Sequence, residues 1–91
     1  MKTIYKYPLT HTETQILKLP VGAEILSVVN QYENCVLYAL VDPTKLQKDL
    51  YTEVEILMVG TGHHREDLEG AEFISTVRMA EGHLMFHFFM R

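Results

Sequence analysis

Apolar residues in this chain recur at every second position, and each run of them is stopped by a proline, a glycine or a short polar cluster. A period of two sends successive side chains to opposite faces of an extended strand, whereas a helix requires a period of ~3.6. The runs are also rich in β-branched and aromatic residues, which suit a pleated, half-buried surface. Extended runs over residues 4–7 (stopped at Pro8), 15–19 (stopped at Pro20), 24–31, 35–41, 51–59, 72–79 and 83–90 follow from this pattern. The expected fold is all-β, a small antiparallel β-sandwich or barrel of about seven strands.

Individual runs carry more detail. In residues 24–31, Leu26 and Val28 alternate with Ile25, Ser27 and Val29, and Tyr32-Glu33-Asn34 reads as a hairpin connection. Residues 35–41 are almost continuously apolar, as in a strand at the centre of a sheet and buried on both sides. Residues 44–50 are the only stretch with helical spacing: Thr44 is a candidate cap, and Leu46 and Leu50 lie four apart on one face of a helix of a turn or two. In residues 51–59, Val54, Ile56 and Met58 share one face, with Glu53, Glu55, Leu57 and Val59 on the other; in residues 72–79, Phe73, Val77 and Met79 are expected to share one. Ala80-Glu81-Gly82 turns the chain into a final run with Leu84, Phe86, Phe88 and Met90 on one side and His83, Met85, His87 and Phe89 on the other. Neither side suits water. Either this is a central strand covered on both faces, or Met85, His87 and Phe89 form the interface of a homo-oligomer.

The chain has 91 residues, 47% of them hydrophobic, enough for one folded β-rich domain over residues 1–91 and too few for two. Acidic residues number 12 against 8 basic ones, for a net charge of −4, and the basic residues are dispersed. Binding to a nucleic-acid backbone is therefore not expected. The single cysteine, Cys35, has no intramolecular disulfide partner and lies in an apolar run, which fits a reducing compartment. The start of the chain has no apolar signal-peptide core, and no stretch approaches the ~20 apolar residues that span a bilayer. A soluble protein of the cytoplasm, without membrane contact, is the expectation.

Five histidines invite a metal reading, and His83 and His87 have the four-residue spacing that chelates zinc on a helix. On a strand that spacing covers ~13 Å, too far for two ligands of one ion, so no metal is expected. Cys35, Ser27 and Ser75 have no base placed beside them by a local motif, and Glu53 with Glu55 reads as a wet strand face. No catalytic residue, no cofactor and no enzymatic activity are expected. The turn Gly60-Thr61-Gly62-His63-His64 is the one place where backbone freedom, hydrogen-bonding side chains and groups that titrate near neutrality coincide. Two glycines permit positive φ and can turn successive N–H groups toward an anion, with Thr61, Gly62 and His63 as its contacts. It lacks the lysine of a phosphate-binding P-loop and the third glycine of a dinucleotide fingerprint. The alternative is purely structural, a β-bulge or corner whose His63 bonds the backbone. Tyr5 and Tyr7 share a face of the first strand and are candidate stacking surfaces for a nucleotide-like ligand.

Several segments occur in a recognisable order: residues 2–9, residues 19–28, Leu40-Val41-Asp42-Pro43, Gly60-Thr61-Gly62-His63 and the closing Phe86-His87-Phe88. Together they resemble a family of short proteins of unknown function common in tailed bacteriophages and prophages. Two positions depart from it: Tyr38 stands where relatives often carry tryptophan, and His64 is not a family feature. The resemblance implies a small β-rich phage protein without an established activity. The resulting expectation is an accessory protein in the host cytoplasm that binds a host protein or a small nucleotide-like ligand, with an anti-defence role. The alternative is a structural or assembly component of the phage particle.

Overall fold

The computed structural model describes residues 1–45 and 50–91. Seven strands form two antiparallel sheets: β1 (Thr3–Pro8), β2 (Thr14–Pro20), β3 (Glu24–Gln31), β4 (Asn34–Val41), β5 (Tyr51–Gly60), β6 (Glu72–Met79) and β7 (Leu84–Met90). The smaller sheet has the order β1-β4-β3 and the larger β2-β5-β7-β6. This is the all-β, seven-stranded sandwich-like architecture that the alternating pattern predicts. A 3-10 turn at Pro43–Lys45 occupies the start of the expected helix, capped by Asp42, whose Oδ1 accepts from the Thr44 amide (3.1 Å) and hydroxyl (2.6 Å). Thr44 here donates to a cap, Asp42, at the start of that turn. The rest of the expected helix, residues 46–49, lies outside the described residues.

The inner faces meet in one apolar core that includes Val28, Cys35, Leu37, Ala39, Ile56, Val77, Met79 and Phe88. Cys35 is fully buried, its Sγ 3.9 Å from Met79 Sδ, and burial pushes its thiol pKa up. A thiol held neutral in this way is a packing group. β4 is the middle strand of the smaller sheet, and Cys35, Val36 and Leu37 are buried on both of its faces at that end. β7 is likewise interior, paired with β5 and β6.

Two strands depart from strict alternation. The register slips between Ile25 and Ser27 in β3, so Ile25 and Val28 face Ala39 and Leu37 on the core side, while Leu26 is exposed. It slips again between Phe73 and Ser75 in β6. One extra residue in a strand reverses the face of everything beyond it. Phe73 consequently does not share a face with Val77 and Met79: it lies outside, its ring edge-on to Phe89 at 5.5 Å between centroids.

The two irregular strands are neighbours across the sandwich. The Val28 amide donates to Ser75 Oγ (2.9 Å), and Asn30 Nδ2 donates to the Arg78 carbonyl (2.9 Å). Partner numbers rise together, so this seam runs parallel and is held by side chains in place of a backbone ladder. At its end lie two hairpin turns with left-handed residues that carry a Cβ: Tyr32 and Glu33 (φ 52° and 63°), and Ala80 and Glu81 (φ 50° and 55°). Each such residue costs about 1–2 kcal/mol. Glu33 ties the turns together. One carboxylate oxygen accepts from the Ala80 amide (2.9 Å), the other from Asn30 Nδ2 (3.3 Å), while Asn30 Oδ1 accepts from the Glu33 amide (2.8 Å).

These bonds, the Ala80 amide first and Asn30 second, hold the Glu33 carboxyl below its ordinary pKa. A depressed carboxyl pKa means the folded chain binds this proton less readily than the unfolded chain does, so its stabilisation is full above the ordinary glutamate value and drains away as the pH falls through the lowered one. Urea midpoints of the wild type are therefore expected to fall on acidification below about pH 4.5, and Glu33→Gln to flatten that part of the profile. Asn30→Ala removes a seam bond and the support of both turns, and is expected to cost about 1–3 kcal/mol in the same denaturation experiment.

Candidate functional site

β5 ends at Gly60, and the chain reverses through a four-residue turn closed by the His63 amide donating to the Gly60 carbonyl (3.1 Å). Gly62, at the third position, has φ +84°, the sign that a type II turn requires there. The same turn recurs at Pro20-Val21-Gly22-Ala23 and Leu68-Glu69-Gly70-Ala71, with glycine at the same place. The second glycine of the candidate site thus has a structural duty. Gly60 has another: the His63 ring lies against it, so that a Cβ at residue 60 would stand 3.0 Å from Cε1 and Nδ1 of that ring.

Thr61 is fastened to the sheet. Its hydroxyl lies 2.8 Å from Nε2 of His87, and Nδ1 of the same ring lies 2.9 Å from the Thr76 hydroxyl. A hydroxyl can donate or accept, so either imidazole tautomer, or the imidazolium, satisfies both bonds. His87 is therefore a latch between the turn and β6. Thr76 escaped the sequence reading, because a three-residue turn at Ala80-Glu81-Gly82 sets Ser75 opposite His87, and only the inclusion of His83 in the turn brings Thr76 there. Met85 and Phe89 flank His87 on the same outward face; Met85 is exposed and Phe89 is half-buried against Phe73.

Beyond the turn, Arg65 folds the chain back over the outer face of the larger sheet. Its Nε and Nη2 each lie 2.8 Å from Asp67, Nη2 also reaches the Thr14 hydroxyl (2.8 Å), and Nη1 donates to the Glu13 and Met58 carbonyls. Arg91 adds bonds to the Asp67 carbonyl and to Glu55. Hydrogen bonding from Arg65, assisted by its charge and that of Arg91, lowers the Asp67 pKa. Leu57 and Val59 are buried too, although neither belongs to the core cluster between the sheets. Sequence gives little hint of Arg65's role, because its partners Glu13 and Thr14, where β2 begins, lie 52 and 51 residues away.

His63 is exposed and stands between two concavities, one of ≈ 180 Å³ shared with Glu13, His64 and Arg65, the other of ≈ 260 Å³ shared with Thr61, His83 and Met85. The amides of Gly62 and His64 have no partner among the described residues. Tyr5 and Tyr7 are not beside this turn in the sheet order: they pair with Ala39 and Leu37 in the smaller sheet and pack against the core. Burial, reinforced by the Tyr5 and Tyr51 phenols, raises the Tyr7 pKa. Tyr5 and Tyr7, the expected stacking residues, are thus half-buried against the core.

His83 precedes β7, in a helical backbone conformation, rather than lying within the strand. Among the described residues no group of three or more His, Cys, Asp or Glu side chains is arranged to hold a metal ion, and no helix is long and apolar enough to cross a membrane.

No curated protein and no solved structure matches this chain. One family model does, a domain of unknown function designated DUF7352, over residues 1–91, and the protein belongs to that family.

Proposed function

We propose that the protein is a phage or prophage accessory protein of the host cytoplasm that acts by binding rather than catalysis, on a host protein or a small nucleotide-like ligand. Its contact is the Gly60-Thr61-Gly62-His63-His64 turn. The observation that carries this reading is His63 standing exposed between two concavities, next to two amides without partners among the described residues. Amide donors and an imidazole within one turn are a fitting set for an anionic oxygen. The phage setting rests on the resemblance of the ordered segments, and the anti-defence role on what small phage accessory proteins commonly do, not on particular residues. Homo-oligomer formation through Met85, His87 and Phe89 is part of this reading and is also the surface that a second one, a component of the phage particle, would use; the exposure of Leu84 and Met85 at one end of β7 favours an interface there.

Isothermal titration calorimetry with mononucleotides tests the lead reading. His63→Ala should weaken binding at least tenfold while leaving Tm nearly unchanged, because the side chain is exposed and packs mainly on Gly60. Gly60→Ala should weaken binding too, by displacing that ring. Thr61→Ala is a different case, since it also breaks the bond to His87, and should cost about 1 kcal/mol of stability. Unchanged affinity in His63→Ala sinks the reading. Light scattering coupled to size exclusion tests the second one: a strict monomer at all concentrations counts against assembly through β7.

A further inference from the structure

A further concavity lies elsewhere, on the outer face of the smaller sheet beside the β3–β4 turn. It measures ≈ 330 Å³ and is lined by Lys6, Pro8, Gln31, Tyr32, Asn34 and Val36. Tyr32 is the anomaly. A two-residue hairpin turn with positive φ at both positions is the natural home of Asn-Gly, yet here an aromatic residue takes the first position at φ +52° with 91% of its surface exposed. Glu33, beside it, is explained by its bonds to Ala80 and Asn30. Tyr32 has no such explanation: only its backbone carbonyl is engaged, by Asn34 Nδ2 (3.1 Å), and the ring is left free. Backbone strain of this kind tends to persist where function requires the side chain.

The rest of the lining shows what such a ring could hold. Lys6 on β1 reaches across β4 to Gln31 Oε1 on β3 (3.4 Å), which brings its ammonium to the concavity. That ammonium has no carboxylate within ion-pair distance among the described residues. Pro8 and Val36 supply apolar floor, Val36 being only 4% exposed although it faces outward. The Gln31 and Asn34 amides add hydrogen-bonding groups, and no acidic residue lines the space. We propose that this concavity is a binding site for a planar ring bearing an anionic group: the ring stacks on Tyr32 over Pro8 and Val36, and the anion pairs with Lys6. The site is separate from the Gly60 turn and stands or falls independently of it.

Titration of 15N-labelled protein with AMP and with 4-hydroxybenzoate, using adenosine and inorganic phosphate as half-ligands, tests this by amide shift changes. The expected result is saturable shifts at Gln31, Tyr32 and Asn34 with at least one ring-bearing anion, and at least tenfold weaker binding of each half-ligand. Tyr32→Asn, which suits the left-handed backbone, should raise Tm by about 4 °C or more while reducing affinity at least tenfold. Lys6→Gln should reduce the affinity for the anion toward that of its uncharged half, and Tyr32→Phe should retain it. Shifts confined to residues 61–64 would support the Gly60 turn and overturn this site. Absence of shifts with both anions, or full affinity in Tyr32→Asn, overturns it as well.

Discussion

The two sheets of this protein are joined along β3 and β6 by side chains reaching for backbone, and the rest of the architecture depends on that seam. Extra residues in β3 and β6 turn Val28, Val77 and Met79 into the core and bring the Val28 amide to Ser75 Oγ. Without the slips, the apolar residues beyond them would face water. The seam's far end is fixed by Glu33, whose carboxylate reaches the other hairpin. An exposed carboxylate is a modest contributor in general. Its importance here is positional, because it satisfies an amide that the left-handed Ala80 turns away from the sheet.

The strand count, most strand limits and the central place of β4 were legible in the sequence, because period two and the breakers Pro8, Pro20 and Gly60 report directly on backbone geometry. The bulges were not. Leu26 and Ile74, the residues left without a cross-strand partner, are ordinary apolar strand residues, and only pairing with β4 and β7 reveals the slip that moves Phe73 outward. The role of Arg65 was equally hidden, since it bridges segments far apart in sequence. For the candidate turn, the glycines and His63 could be read, whereas the bond between Thr61 and His87 could not: it depends on which strand lies beside β5.

That bond changes what the turn is. Thr61 spends its hydroxyl on the sheet, Gly62 supplies the turn's positive φ and Gly60 makes room for an imidazole, so His63 and the two amides beside it are what the turn leaves for a ligand. The turn is a structural corner, and the proposed contact rests on the few groups that this duty leaves over. A radius of gyration of 13.8 Å, against about 12 Å for a compact chain of this length, and extents of 41 × 29 × 17 Å describe a flat body whose faces present such features openly.

The pairing of two left-handed hairpin turns through Glu33 also bears on how the chain reaches this state. The β3–β4 and β6–β7 hairpins are local and can close early, yet each incurs an unfavourable turn before the other is present. Relief arrives only when residues 47 positions apart meet. Isolated hairpins are marginal in water to begin with. Neither is then expected to persist as a populated intermediate, and the two sheets should appear together in one cooperative, all-or-none step whose slow event is the meeting of the hairpins.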